Sequence, residues 1–386
     1  MSAVPAGPPV VDLATYRALF PITERYAYLN HAAVTALFRP STEALATYWQ
    51  VQSHEGVYSE AAHWPIIESN RTQLAALMGA HPDEIAWVAN TSVAISMVAS
   101  LVRWREGDNV VTTDEQFPSN VYPWLALRDE GVETRLVPRR EARVPIQDLV
   151  ARMDGRTRLL AVGWVEFNSG FRQDIAALGR ICRERGVLLM VDAMQGLGGL
   201  AADVHAWGAD FVAVATHKWL LGPQGLGVLY IRHALLDELH PRLMGWRSVV
   251  NMDDYLNYDQ AWLPSARRFE GGTPNLSAHV AFAPVLAMLH DVGPARIEAT
   301  ILDLNARLMD QLEAHGHTLI SSRRPGERSG IVCFLPRGGE SPVDAVARLQ
   351  AVRISVAARS GVVRVSPHFY NTAAEIDSLF APGLLG

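Results

Sequence analysis

Between about residues 65 and 232 the chain alternates short, β-branched apolar runs with amphipathic stretches, and this alternation restricts the fold more than any other feature. A strand covered on both faces reads as an unbroken apolar run, while the helices covering it read with a period near 3.6, so the pattern calls for a parallel α/β sheet. Seven runs qualify as strands: 84–90, 108–116, 133–138, 158–167, 187–194, 211–216 and 227–232. Helical periodicity fills the intervals, most clearly over 172–186. A sheet wound on both faces collects its ligand at the carboxyl ends of the strands. Asn90 to Ser92, Phe117, Asp192 and Lys218 all fall at such ends or in the turns after them, which makes residues distant in sequence candidates for one pocket.

The texture changes after about residue 280. A long helical pattern (280–316) leads into a strand-like run (329–336) and further mixed elements. The economical division is a large ligand-binding domain over 28–275, a smaller α/β domain over 276–386, and a Pro- and Gly-rich segment over 1–27 that joins the smaller domain. The formal net charge is −6 and the arginines are interspersed with acids, which argues against nucleic acid as a partner. Two cysteines, Cys182 and Cys333, are too few for a disulfide framework or a zinc site, so no metal is expected and a reducing cytoplasm fits. The opening residues lack the charge, apolar core and cleavage pattern of an export signal, and no apolar run is long enough to span a bilayer, so neither export nor membrane insertion is expected.

Of the 34 basic residues, 33 are arginine and one is lysine, Lys218, in the stretch VATHKWLLGPQG. Either residue serves as a solvated charge, but only the lysine amine can lose its proton and attack a carbonyl. Lys218 is therefore a candidate nucleophile; the plain alternative is a chance survivor at a helix start. Upstream, Asp192 closes a very apolar run and Gln195 follows three residues later. A carboxylate at the mouth of a buried strand is costly unless a cation or hydrogen-bond donor meets it, and a protonated pyridine nitrogen would do so.

A strand ending in Asp-x-x-Gln, followed by Thr-His-Lys at the end of a later strand, resembles the fold type I pyridoxal 5'-phosphate (PLP) enzymes. More narrowly, it is similar to the class V aminotransferase family, which includes cysteine desulfurases, isopenicillin N epimerase, kynureninase and several C–S lyases. The resemblance runs from YLNHAAVT (28–35) to RVSPHFYNT (364–372), with separate motifs in the family's order. It implies a large domain with a mainly parallel seven-stranded sheet and a smaller C-terminal domain. It also implies that Lys218 forms the Schiff base with PLP and shuttles a proton at the substrate Cα. Asp192 would pair with the pyridinium nitrogen, keeping the ring able to accept electrons, and Gln195 would bond the ring's 3-oxygen.

Further positions follow from the same resemblance. Thr91 and Ser92 open a helix whose N–H groups suit the cofactor phosphate, although simple capping would leave the same pattern. Thr216 and His217 would add phosphate or ring contacts. Gly272 and Thr273, in RRFEGGTPN, match a loop that reaches the neighbouring subunit's phosphate, implying a homodimer with shared sites. Phe117 would occupy the ring-stacking position where desulfurases commonly carry histidine, although an ordinary core phenylalanine would leave the same pattern; a phenyl face packs on the ring but has no proton to give. Arg364 would hold the substrate carboxylate, for which a planar fork is apt. Asn168 matches a position near the 3-oxygen and the carboxylate. Asn30 and His31 lie in a motif facing the pocket, although a structural role for the histidine fits equally.

The resemblance leaves the reaction open among epimerisation (isomerase), elimination (lyase) and transamination (transferase) on an amino acid or amino-acid conjugate. Persulfide chemistry is disfavoured: the stretch VAARSGVVRVS, where a desulfurase carries its cysteine, is short and has none. A non-catalytic PLP-binding protein would dispense with Arg364 and Asn168. A nucleotide-binding dehydrogenase would need a Gly-rich turn after the first strand, and GPQGLG follows the wrong element.

Overall fold

Each of the seven apolar runs forms a strand of one sheet in the computed structural model, which describes residues 12–239 and 242–386. The strands are β1 (Ile85–Val88), β2 (Asn109–Thr113), β3 (Glu133–Val137), β4 (Thr157–Gly163), β5 (Leu188–Asp192), β6 (Phe211–Ala215) and β7 (Gly227–Ile231). Their order across the sheet is β1-β7-β6-β5-β4-β2-β3. β7 runs antiparallel to both of its neighbours, and every other pairing is parallel. The reversal has a local cause: β6 and β7 are joined by the turn 216–226, too short for the crossover that a parallel pair needs.

Alternate residues along each strand point to opposite faces. Leu160, Val162, Leu189, Val191, Val212 and Val214 share a core with helices α1 (Glu60–Met78), α3 (Ile175–Arg185) and α4 (Leu276–Val292). Leu159, Ala161, Met190, Phe211 and Ala213 meet helix α2 (Thr91–Leu101) and Trp124 on the other face. This two-sided burial is what makes the strand runs apolar throughout.

Helix α4 lies in the stretch that sequence texture assigns to the smaller unit, yet Phe282, Val285 and Leu286 bury it against Ile67 and Leu74 of α1 on the large sheet. The chain then bends by 80° at Gly293 into α5 (Pro294–Ala314). Gly293 has φ +84, a region where a side chain is strained. No single helix among the described residues is long and apolar enough to cross a membrane.

Beyond α5, β8 (Thr318–Leu319), β9 (Val332–Leu335), β10 (Ala357–Arg359) and β11 (Val362–Val365) form an antiparallel sheet in the order β10-β11-β9-β8. Val332, Phe334, Val363 and Val365 pack with Leu304, Leu308 and Leu312 of α5 in a core of their own. Residues 1–11 of the N-terminal segment lie outside the described residues. Its last residue, Ala27, forms with Tyr28 a short strand that pairs in parallel with Ile354–Ser355, and Asn30 bridges to Ser366.

Candidate active site

Gly163 and Asp192 stand side by side in register at the carboxyl ends of β4 and β5, with Ala213 in the middle of β6 next to Asp192. A cavity of about 440 Å³ opens there, lined among others by Lys218, Asp192, Gln195, Phe117, Thr91 and Ser92. The volume lies in the range of cofactor and ligand pockets.

The turn holding Lys218 is tied down by its backbone. The Thr216 N–H donates to Leu226 O at 3.0 Å, the Gly222 N–H to Thr216 O at 2.8 Å and the Leu221 N–H to Lys218 O at 3.0 Å. Leu221 adopts φ +55, a strained value for a residue with a side chain, and strain of this kind persists only where the surroundings fix it. Its neighbour Trp219 is buried and donates its indole N–H to Gln195 Oε1 at 3.0 Å. The Lys218 Nζ makes no hydrogen bond among the described residues; it faces the Phe117 ring at 5.6 Å from the centroid. Burial lowers its pKa to about 8, with Asp192 opposing and the Arg364 and Arg359 cations adding to the shift. An amine so placed is a usable nucleophile near neutrality.

Asp192 ends β5 and accepts the Met194 N–H at 2.9 Å. Burial raises its carboxyl to about 6, against the pull of that N–H and of Lys218. It is an acid short of a cation. Gln195 donates to Ala32 O at 3.0 Å, which together with Trp219 fixes both ends of its amide. At the start of α2, Asn90 Oδ1 caps the Val93 N–H at 2.9 Å, leaving the preceding N–H groups of the first turn beside the cavity. Thr91 Oγ1 touches Met194 Sδ at 3.4 Å and Ser92 Oγ bonds Ser119 Oγ at 2.7 Å. Gly227 permits β7 to pass here, since a Cβ on it would lie 2.9 Å from Asn90 Cα.

Arg364, on β11, is 2% exposed and lines the same cavity. Its Nη1 donates to Phe167 O at 3.0 Å, its Nε is buried without a partner, and burial brings its pKa down to about 10. His217 also lines the cavity, its Nδ1 buried and unpartnered and its pKa lowered by burial and then by Lys218.

Several expected residues lie elsewhere. His31 does not face the cavity: it is fully buried, with Nδ1 3.0 Å from Ser366 O and Nε2 2.7 Å from the Tyr370 hydroxyl, so both nitrogens are spent on holding the N-terminal segment. Asn30 likewise sits at the bridge to Ser366 and outside the cavity lining. The Thr216 hydroxyl turns back to Pro223 O and Leu226 O, serving the turn rather than a ligand. Asn168 lines an adjacent cleft with Arg139 and donates to Glu115 Oε2 at 2.5 Å, while its Oδ1 is buried without a partner. Gly272 and Thr273 are exposed and outside this cavity.

Two charged residues that sequence reasoning passed over do line it: Glu166 and Arg359. Glu166 accepts the Gln116 Nε2 at 2.7 Å and is raised to about 8, chiefly by burial and then by the negative charges of Asp192 and Glu115. It had the same signature as Asp192, an acid at the mouth of an apolar run. Arg359 lies in VAARSGVVRVS, the stretch that has no cysteine. Ser360 (φ +48) and Gly361 (φ +79) turn the β10–β11 hairpin that carries it to the cavity.

A buried acid lacking a cation, an amine free to bond, an aromatic wall and a helix start fit the ring nitrogen, aldehyde, ring face and phosphate of PLP. The class V aminotransferase model matches residues 27–379. The chain is 32% identical to the uncharacterized aminotransferase YcbU of Bacillus subtilis, over 94% of each chain. Its fold matches a cysteine desulfurase from Thermococcus onnurineus with TM-score 0.86 and 27% identity over 95% of each chain. It also matches the cystine C–S lyase C-DES, with TM-score 0.85 and 23% identity over 94% of this chain and 98% of that one.

Proposed function

Since the chain belongs to the class V aminotransferase family and uses PLP, we propose that it acts at Cα of an amino acid or amino-acid conjugate as an isopenicillin N epimerase-like or C–S lyase-like enzyme. The observation that carries the reading is one cavity shared by an unbonded Lys218 amine, a buried Asp192 and an Arg364 with no carboxylate partner. PLP bound here supplies an electron sink for a bond broken at Cα.

The chain's own residues supply the rest. Lys218 would hold the cofactor through its amine and would carry a proton at the substrate Cα. Asp192 holds a proton at the ring nitrogen, and in return that cation relieves the cost of its burial. The start of α2, with Thr91 and Ser92, takes the phosphate; Phe117 covers the ring face; Gln195 serves the 3-oxygen. Arg364 takes the substrate carboxylate through a guanidinium that no protein acid occupies.

Loss of a β-substituent and reprotonation at Cα both stay within reach of one mobile amine, and Phe117 offers no titratable group over the ring. Transamination is the alternative. A persulfide mechanism is disfavoured because Cys182 and Cys333 are buried, lie outside the cavity lining and are both raised to about 12 by burial. A homodimer is part of the reading: Trp246, Tyr255, Tyr258 and Trp262 expose aromatic surface on the chain leading to Gly272 and Thr273, which would meet the neighbouring subunit's phosphate.

The test is a spectrum followed by a screen. The purified protein should show a visible band that borohydride removes and Lys218→Ala lacks; a colourless protein that ignores added PLP would refute the reading. Incubation with amino acids and cysteine conjugates in deuterated water, assayed together for pyruvate, sulfide, keto acids and Cα exchange, then separates lyase, epimerase and transaminase.

A further inference from the structure

We infer that the cavity selects amino acids bearing a second acidic group on the side chain, bound by Arg359 while Arg364 takes the α-carboxylate. The inference rests on the proposed function and adds a substrate class to it.

The hairpin geometry places the two arginines together. Arg359 pairs with Val362 across the β10–β11 ladder, and Arg364 follows Val362 by two residues on the same strand. Cross-strand partners share a face and residues two apart share a face, so both guanidinium stems leave the same side of the hairpin as diagonal neighbours. Their Cβ atoms are then about 7 Å apart, on the order of the reach of an acidic amino acid. Both side chains line the cavity.

Charge accounting singles out Arg359. Asp192 answers the ring nitrogen, the start of α2 answers the phosphate, and Arg364 answers the α-carboxylate. Glu115 is engaged by Arg139 at 2.9 Å and by Asn168. Glu166 is bonded by Gln116 and kept protonated by burial. Arg359 has no hydrogen bond or ion pair among the described residues, and the Arg364 Nε is buried unpartnered. Two like charges on one wall repel each other and the Lys218 amine. A second anion between them removes that repulsion, and an uncharged side chain does not.

The holoenzyme tests this by titration of the visible cofactor band with L- and D-aspartate, glutamate and cysteine sulfinate, each against an uncharged analogue such as asparagine, glutamine or alanine. Acidic ligands should bind about tenfold or more tightly than their amides, the scale of one hydrogen bond to a charged group. Arg359→Gln should bring the acids to the level of the amides, Arg359→Lys should keep part of the preference, and Arg364→Gln should weaken every ligand. Parity of acid and amide in the wild type, or an acid preference that survives Arg359→Gln, would overturn the inference while leaving the function standing. A protein without any Lys218-dependent band would overturn both.

Discussion

The Lys218 Nζ stands 5.6 Å from the centre of the Phe117 ring. The amine thus looks across the cavity at a flat wall that can neither donate nor accept a proton, and its own titration is set by charges to the side. Those charges can be removed one at a time.

The rate at which cofactor-free protein captures PLP should rise with pH through an inflection near the amine's value of about 8, because only the unprotonated form attacks. Asp192→Asn removes the anion that favours the ammonium and should move the inflection down. Arg364→Gln removes a cation that disfavours it and should move the inflection up. Stopped-flow absorbance across pH 6–10 reads both directions; shifts of the opposite sign would contradict the electrostatic picture.

Glu166 is raised from 4.5 to about 8, so the folded state holds a proton that the unfolded chain releases. Its contribution is fully present below the unfolded value and fades as pH climbs through the folded one. In the cofactor-free protein the Glu166 contribution should therefore fall between about pH 4.5 and 8, on the order of a few kcal/mol. Glu166→Gln should be spared that loss, so the gap in melting temperature between variant and wild type should widen from pH 5.5 to 8.5. A constant gap would mean that the carboxyl ionises freely in place.

His31 titrates in the other sense. Burial takes it down to about 4, and buried His368 beside it is lowered as well. Stability from the pair is present above the unfolded value near 6.5 and lost as pH falls toward 4. Denaturant melts of wild type and His31→Gln between pH 7 and 4 should converge at the acid end. Tyr370→Phe, which deletes the hydroxyl at 2.7 Å from Nε2, should cost about 1 kcal/mol at neutral pH and leave PLP absorbance intact.

Replacing both Cys182 and Cys333 with alanine should leave any turnover of cysteine or its conjugates within about twofold of wild type, after correction for folded fraction. The native thiols should also resist a soluble disulfide reagent until the protein unfolds. Loss of sulfide release in the double variant would bring a cysteine back into the chemistry.

The sheet was legible because each strand is covered on both faces, which stamps an unbroken apolar run on the sequence, and all seven runs reappear as strands. Lys218, Asp192 and Phe117 were legible because parallel strands bring their carboxyl ends to one edge, and they line one cavity. For His31 the sequence leaves a pocket role and a structural role equally open, because a motif does not say which way a ring turns; the ring turns toward Tyr370 and Ser366, more than three hundred residues away. Thr216 was misplaced because a hydroxyl beside a nucleophile is as useful to the turn as to a ligand. Arg359 was missed because it reaches the cavity only through the register of a hairpin, which depends on pairing with a strand and not on any local pattern.

Residues 27–32 add one more link between the C-terminal part of the molecule and the large sheet, beside contacts such as Arg364 Nη1 to Phe167 O. Ala27 and Tyr28 are laced to Ile354–Ser355, His31 is pinned to Tyr370, and the carbonyl of Ala32 receives the Gln195 amide inside the cavity. One short run of chain therefore braces the strand just before the arginine-bearing hairpin and the glutamine at the opposite wall of the cavity.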